Sequence, residues 1–230
     1  MISIVFPVYN ERGNLQPLME GLNRVREKLQ DSVDPVRNNT PQGSANALAH
    51  WISNGVELIA VDDGSRDGSL EELRGLSKQY SHLKVIVFTH NFGQTAALAA
   101  GIAAARGEIV VTIDSDLEND PADIPILLER IEEGYDVVSG WRQGRWKDQP
   151  FTRKFPSLAA NWLISKIGGL RLHDYGCTLK AYRRELIASI PLYGEMHRFI
   201  PAYLNWRGAR VAEVPVSYRP RTYGRSNYGI

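Results

Sequence analysis

The stretch Ile109-Val110-Val111-Thr112-Ile113-Asp114-Ser115-Asp116-Leu117-Glu118 passes from apolar and β-branched residues directly into acidic ones. A short run rich in Val and Ile favours a buried strand. Side chains alternate along a strand, so Asp114 and Asp116 point the same way if the extended geometry continues. Carboxylates at such a strand end suit a hard divalent cation, Mg²⁺ or Mn²⁺, bound together with a diphosphate. The stretch therefore predicts a buried strand that ends at a metal- and nucleotide-binding edge.

Four more runs of this kind predict further strands: Ile2–Phe6, Val56–Val61, Lys84–Phe88 and Asp136–Ser139. They barely alternate, which is typical of strands covered on both faces in a parallel sheet. Helical spacing occurs between them, at Asn14–Leu29, Asp67–Tyr80, Gln94–Arg106 and Pro121–Ile131. The alternation predicts an α/β fold, with a Rossmann-like, mostly parallel sheet and helices on both faces. Ligands bind such sheets beyond the carboxyl ends of the strands.

The 230 residues fit a single domain. The later part of the chain predicts an amphipathic helix at Phe155–Ile167, a strand at Cys177–Tyr182, helices at Arg184–Ile190 and Glu195–Trp206, and a strand at Arg210–Val214. Residues 31–52 are rich in Pro, Asn and Gly, which predicts a partly disordered surface insertion. Residues 215–230 are rich in Pro, Arg and Tyr and predict a basic arm.

Charge is distributed unevenly along the chain. Residues 1–140 contain 11 Lys and Arg against 21 Asp and Glu, whereas residues 141–230 contain 16 against 5. This polarity indicates an acidic, metal-holding half and a basic half that meets phosphates or a membrane surface, or else a merely solvated basic face. The single cysteine, Cys177, indicates a reducing cytoplasm. We find no secretory signal and no apolar stretch of about 18 residues, so a membrane anchor would lie in a separate or longer segment.

The polar residues after the predicted strands should converge into a nucleotide-sugar site, and the candidates are Pro7, Tyr9, Asn10, Glu11, Asp62, Asp63, Asn91 and Asp114. A turn with a helix N-cap also explains the run from Asp62 to Ser69. Asp116 is the expected catalytic metal ligand, with Asp114 and Glu118 beside it. Asp114 would also hold the ribose or sugar. Alternatively, these acids pair with nearby arginines.

The basic residues predict contacts with phosphate oxygens, which guanidinium forks match well, although solvated surface charge explains them too. One cluster includes Arg142, Arg145 and Arg153, and the other lies in the arm, with Arg221, Arg225 and Ser226. Tyrosines interleave with the arm cluster, which suits a lipid headgroup interface. The acidic edge and the net charge of +1 disfavour nucleic acid. Asp174 is a general base or an acceptor-orienting carboxylate, or else it caps the turn.

Taken in order, these motifs resemble the inverting family 2 glycosyltransferases of the GT-A fold. The resemblance is carried by Phe6–Glu11, Val61–Asp67, Asn91–Gln94 and Asp114–Leu117. Arg142, Asp174–Cys177, Arg198–Pro201 and Arg221–Tyr228 are similar to the dolichol-phosphate mannosyltransferase and polyprenyl-phosphate glycosyltransferase group.

The resemblance implies a GDP- or UDP-sugar donor, a divalent metal, and a dolichyl or undecaprenyl phosphate acceptor at the cytoplasmic face of the membrane. It assigns the nucleoside to Pro7, Tyr9, Glu11 and Asp62, the donor and metal to Asp114 and Asp116, and phosphates to Arg142, Arg153, Arg221 and Arg225. Two alternatives stay open. In the first, the acceptor is a hydroxyl of a polysaccharide or other glycan, which would require Asp174 as a base. In the second, the chain is a non-catalytic α/β binding or regulatory module.

Overall fold

The computed structural model describes residues 1–32, 47–143 and 169–221. The strands in these ranges form one seven-stranded sheet: β1 (Ile2–Val8), β2 (Val56–Asp62), β3 (Leu83–Val87), β4 (Ile109–Thr112), β5 (Val137–Arg142), β6 (Lys180–Arg183) and β7 (Val211–Val216). Their spatial order is β3-β2-β1-β4-β6-β5-β7. All pairings are parallel except those of β6, which is antiparallel to β4 and β5. The predicted mostly parallel α/β sheet is confirmed.

Helices cover both faces of this sheet. The described helices are α1 (Arg12–Ser32), α2 (Ala47–Ser53), α3 (Ser69–Gln79), α4 (Gln94–Ala104), α5 (Ile124–Glu132), α6 (Arg184–Ile187) and α7 (Ile200–Trp206). The apolar stripes of α1 and α5 pack on one face, and those of α4 and α7 pack on the other. None of these described helices is long and apolar enough to cross a membrane. The helix predicted at Phe155–Ile167 lies outside the described residues.

The predicted surface insertion at residues 31–52 was wrong for its last part. Helix α2 begins at Ala47, and Trp51 and Ile52 are only 4% and 1% exposed within the core. The polar composition of the wider segment obscured these two apolar residues, whose burial ties α2 to the sheet. Residues 33–46 lie outside the described part of the chain.

The carboxyl ends of the central strands meet at one edge, which we call the carboxyl edge. Val8 of β1 lies in register with Asp62 of β2, and the amide of Ile113, just after β4, donates to the carbonyl of Val5. Gly64 has a φ of 72°, and a Cβ there would lie 2.5 Å from the carbonyl carbon of His90. Glycine is thus required where the loops after β2 and β3 touch.

Candidate active site

Acidic side chains crowd the carboxyl edge beyond β1 and β4. Asp116 and Glu11 are buried, and the guanidinium of Arg221 reaches both. Arg221 Nη2 lies 2.6 Å from Asp116 Oδ2, and Nη1 lies 3.5 Å from Glu11 Oε1. Burial raises the pKa of Glu11, although Arg221 acts in the opposite direction. The predicted convergence of Glu11 and Asp116 is therefore present, with an arginine as their shared counter-ion.

Asp114 is held by two uncharged donors. Gln94 Nε2 donates to Oδ1 at 2.7 Å, and Thr178 Oγ1 donates to Oδ2 at 2.7 Å. Burial, and after it the neighbouring charge of Asp116, raises the pKa of Asp114 to about 7. Burial and the nearby carboxylate of Asp116 thus both disfavour the ionised form of Asp114.

The turn between Asp116 and Glu118 is strained. Leu117 has a φ of 63°, a left-handed conformation that costs a non-glycine residue about 1–2 kcal/mol. Asp116 Oδ1 offsets part of this cost by accepting the amide of Glu118 at 3.0 Å. On the other side, Ser115 Oγ donates to the carbonyl of Pro7 at 2.8 Å. Together these contacts fix the loop that presents the two aspartates to the edge.

Arg142, at the end of β5, is buried in an acidic socket. Its Nε and Nη2 donate to the two carboxylate oxygens of Asp174 at 2.7 and 3.0 Å, and Nη1 lies 3.4 Å from Glu118 Oε2. Burial alone would lower the pKa of Arg142, but hydrogen bonding to Asp174 raises it. Asp174 also accepts the amide of Gly176. Asp174 thus orients a cation, and Glu118, predicted as a metal ligand, faces that same arginine.

The two adjacent aspartates after β2 differ in their surroundings. Asp63 accepts Asn91 Nδ2 at 2.8 Å and the next two backbone amides at 2.7 and 2.9 Å. Asp62 accepts only the amide of Ser65, at 3.3 Å, and its buried Oδ1 has no hydrogen-bond partner among the described residues. Asp63 and Asn91, both predicted to bind nucleotide, therefore join two loops, while Asp62 keeps an open acceptor.

Asn10 organises the same edge from β1. Its φ of 56° is left-handed, its amide donates to Ser65 Oγ at 3.0 Å, and its side-chain oxygen accepts the amide of Arg66 at 2.8 Å. Pro7 and Tyr9 precede it and are half-buried. Asn10, although exposed, thus ties the end of β1 to the loop that follows Asp62.

The structure does not show a ready-made metal cage. Within residues 1–32, 47–143 and 169–221, no three His, Cys, Asp or Glu side chains are arranged to hold an ion. The alternative that these acids pair with arginines holds for Asp116 with Arg221 and for Glu118 with Arg142. The predicted phosphate ligands Arg145, Arg153, Arg225 and Ser226 lie outside the described residues.

Three residues that support the site were missed by the sequence reasoning. Gln94 and Thr178 clamp Asp114, and Lys180 donates to the backbone carbonyls of Tyr175 and Cys177. Gln94 is the first residue of α4, directly after the loop beyond β3. This position at the carboxyl edge could have identified it as a site residue. Thr178 and Lys180 follow the Asp174 motif along the chain, but the antiparallel course of β6, which brings them to Asp114, was not predicted.

The fold matches solved glycosyltransferases. Glucosyl-3-phosphoglycerate synthase from Mycobacterium tuberculosis, solved with Mn²⁺, UDP and phosphoglyceric acid, has a TM-score of 0.63 at 22% identity, over 98% of this chain and 72% of that one. Mannosyltransferase PcManGT from Pyrobaculum calidifontis, solved with GDP-Man and Mn²⁺, has a TM-score of 0.58 at 20% identity, over 93% and 54%. These likenesses confirm the GT-A fold.

Sequence relatives are more similar. Dodecaprenyl-phosphate galacturonate synthase from Rhizobium johnstonii is 41% identical over 100% of this chain and 62% of its own length. Undecaprenyl-phosphate 4-deoxy-4-formamido-L-arabinose transferase from Aeromonas hydrophila is 37% identical over 100% and 63%. The chain thus spans less than two thirds of these relatives, whose names confirm the predicted resemblance. The profile of Glycosyl transferase family 2 matches residues 3–190, and the chain belongs to that family.

Proposed function

We propose that the chain is a single GT-A catalytic domain that transfers a sugar from a nucleotide diphosphate to a polyprenyl phosphate. The observation that carries this proposal is the crowding of Glu11, Asp114 and Asp116 at the carboxyl edge, where Arg221 is the shared cation of Glu11 and Asp116. Excess negative charge at such an edge suits a ligand that brings cations and hydrogen-bond donors. The names of the relatives support the acceptor class.

The donor nucleoside would lie against Asp62. Its Oδ1 is buried and has no hydrogen-bond partner among the described residues, so it can accept a hydrogen bond from an N–H of the base or from a ribose hydroxyl. A buried acceptor without a partner is costly, which favours a ligand that completes it. Asp63 and Asn10 hold the loop in place around this acceptor.

The acidic edge fits a divalent cation, Mg²⁺ or Mn²⁺. Asp114 and Asp116 supply hard oxygen donors, and the effect of Asp116 on the pKa of Asp114 shows that their charges act on each other. Mg²⁺ commonly takes one or two carboxylates and completes its shell with water and substrate phosphates, so a full protein cage is unnecessary. When bound, the ion would neutralise charge on the leaving diphosphate. Arg221 would contribute positive charge at the same place.

The surroundings of Asp174 favour a phosphate acceptor over a hydroxyl. Both of its carboxylate oxygens accept hydrogen bonds from Arg142, an arrangement that suits orientation of a cation rather than proton abstraction. A phosphate monoester has a second pKa near ~6 and is largely anionic at pH 7, so it attacks without a strong base. Its oxygen would displace the nucleotide diphosphate in line at the anomeric carbon, with inversion. Arg142 would position the attacking group.

A polyprenyl acceptor places the enzyme at a membrane surface, and we propose the cytoplasmic face. The excess of 16 Lys and Arg over 5 Asp and Glu in residues 141–230 suits anionic headgroups. The donor is a GDP- or UDP-sugar.

The direct test has a binding arm and a transfer arm. Thermal shift and calorimetry would screen GDP- and UDP-sugars, including mannose, glucose and galacturonate, each with Mn²⁺, Mg²⁺ or chelator. A ligand specific to the folded state raises the melting temperature by mass action. The best donor then enters a transfer assay with undecaprenyl phosphate and, in parallel, a glycan acceptor.

We expect metal-dependent donor binding and transfer to the lipid phosphate alone. Transfer to the glycan with none to the lipid would favour the hydroxyl-acceptor alternative. Absence of nucleotide-sugar binding with either metal would favour a non-catalytic module.

A further inference from the structure

Lys180 carries a buried charge that the described fold does not need for packing. The residue opens β6 and is 3% exposed. Its ammonium donates to the carbonyl of Tyr175 at 3.4 Å and to that of Cys177, and in the described part of the chain its hydrogen bonds go to these carbonyls rather than to a carboxylate. Burial lowers the pKa of Lys180, which reflects the cost of keeping an ammonium there. A methionine would fill the same volume without that cost.

The two carbonyls belong to a loop, residues 174–178, that holds two charged groups of the carboxyl edge. Asp174, at its start, binds Arg142 through both carboxylate oxygens. Thr178, at its end, donates to Asp114. The loop is also fixed from β4, because Thr112 Oγ1 donates to the carbonyl of Thr178 at 2.6 Å. Lys180 thus lies beneath a segment whose two ends set two separate site residues.

We propose that Lys180 is a positioning residue: its ammonium anchors the 174–178 loop, and the loop holds Arg142 and Asp114 in the arrangement that transfer requires. This inference rests on the proposed function. Loss of the ammonium leaves two buried carbonyls without their donor and lets the loop shift. Displacement of catalytic groups by about 1 Å costs on the order of 10²-fold in rate.

Lys180→Met tests the anchor, and Lys84→Met is its matched control. Lys84 also donates to a buried partner, Glu57 at 2.6 Å, but it lies at the opposite edge of the sheet. Cys177 is the chain's only cysteine and is fully buried inside the loop. Its reaction rate with a chromogenic disulfide reagent therefore reports opening of this loop. Urea unfolding of both variants corrects the labelling rates for global stability.

We expect Lys180→Met to lower kcat about 10- to 100-fold relative to Lys84→Met, because the 174–178 loop sets both Arg142 and Asp114. Labelling of Cys177 should accelerate in Lys180→Met alone. A kcat within threefold of the control overturns the proposal, and so does slower transfer with unchanged labelling, because the loop would then not be what Lys180 holds.

Thr112→Val is the second variant, for the case that Lys180→Met does not fold. This substitution removes the hydrogen bond from Thr112 Oγ1 to the carbonyl of Thr178 in the same loop. Faster labelling and a lower kcat support the anchor, and no change in either overturns it. The labelling needs no acceptor, so it is independent of the function assay. Absence of transfer by the unmodified chain would count against the proposed function, while the labelling contrast would still test the anchor.

Discussion

The two ends of β2 carry buried acids in opposite electrostatic conditions. Glu57, near the amino end, accepts hydrogen bonds from Ser3 Oγ at 2.7 Å, the Arg106 amide at 2.7 Å and Lys84 Nζ at 2.6 Å. Burial alone would raise the pKa of Glu57, but these partners lower it to about 2. The amino edge is therefore electrostatically complete, and its acid stabilises the fold.

At the carboxyl edge, where both β2 and β4 end, the acids lie in the opposite electrostatic condition. Asp62 has an open oxygen among the described residues, and burial together with Asp116 raises the pKa of Asp114 to about 7. Both edges contain buried acids, so composition does not separate them. The difference lies in the partners: Glu57 accepts from a charged donor, whereas Asp114 accepts from two uncharged donors and Asp62 Oδ1 from none among the described residues. Acids left short of partners cost stability, and we infer that they are retained for a ligand.

Asp116→Asn should have the strongest effect of the substitutions considered, because it removes a negative charge from the carboxyl edge. By analogy with lost preorganised charge stabilisers, the transfer rate should fall about 10²–10³-fold. The measurement is the rate of sugar transfer to polyprenyl phosphate at saturating donor and Mn²⁺, with circular dichroism to verify folding. Near-normal transfer would remove Asp116 from the chemistry and break the contrast between the edges.

Glu57→Gln, at the amino end of β2, should lower stability and leave the transfer rate unchanged. We expect a loss of about 2–3 kcal/mol in the free energy of unfolding at pH 7, since Lys84 and two further donors lose their charged acceptor, with an unchanged rate per folded molecule. Because the folded pKa is depressed to about 2, the stabilisation is present above the unfolded value of 4.5 and is lost as pH falls through about 2. Urea unfolding between pH 7 and 2.5 should show the two proteins converging. A constant difference would show that the charge is not what stabilises this edge.

The fold was largely predictable because its strands are apolar runs covered on both faces. Runs such as Ile109–Ile113 specify a buried strand through composition alone, and the helices between them follow from spacing. Helix α2 was missed because Trp51 and Ile52 lie in a stretch whose polar residues dominate any window. The position of β6 between β4 and β5 depends on long-range pairing, which local patterns do not encode.

The site was predictable in its residues but less so in their pairings. The carboxyl-edge rule placed Asp62, Asp114 and Asp116 together, since it depends only on where strands end. The rule did not distinguish Asp62 from Asp63. Asp63 is satisfied by backbone amides of the loop after β3, about 30 residues further along the chain, and Asp62 is not. The pairing of Arg221 with Asp116 likewise joins distant parts of the chain.

Arg221→Gln sharpens the contrast by removing the cation that the incomplete edge does have. The metal-free protein should lose about 1–2 kcal/mol of unfolding free energy, because Asp116 and Glu11 lose their shared counter-ion. Mn²⁺ alone should then raise the melting temperature more in the variant than in the unmodified protein. The control is Arg219→Gln, since Arg219 pairs with Asp120 while 68% exposed, and surface pairs contribute about 0–1 kcal/mol. Equal Mn²⁺ responses in both variants would contradict the role of Arg221.

The smallest expected effect has the opposite sign and comes from Asp114→Asn. The raised pKa of about 7 means that the folded protein holds this proton more tightly than the unfolded chain, whose value is 3.8. Stability therefore falls as pH rises from about 4 to about 7. Asparagine stays neutral, and the hydroxyl of Thr178 can accept from its amide. The variant should thus be about 1 kcal/mol more stable than the unmodified protein at pH 8, discounted from the full shift, and no more stable at pH 4, as measured by urea unfolding with chelator. Its transfer rate should fall nonetheless. A variant less stable at pH 8 would show that Asp114 is electrostatically satisfied like Glu57, and the two edges would then differ in position only.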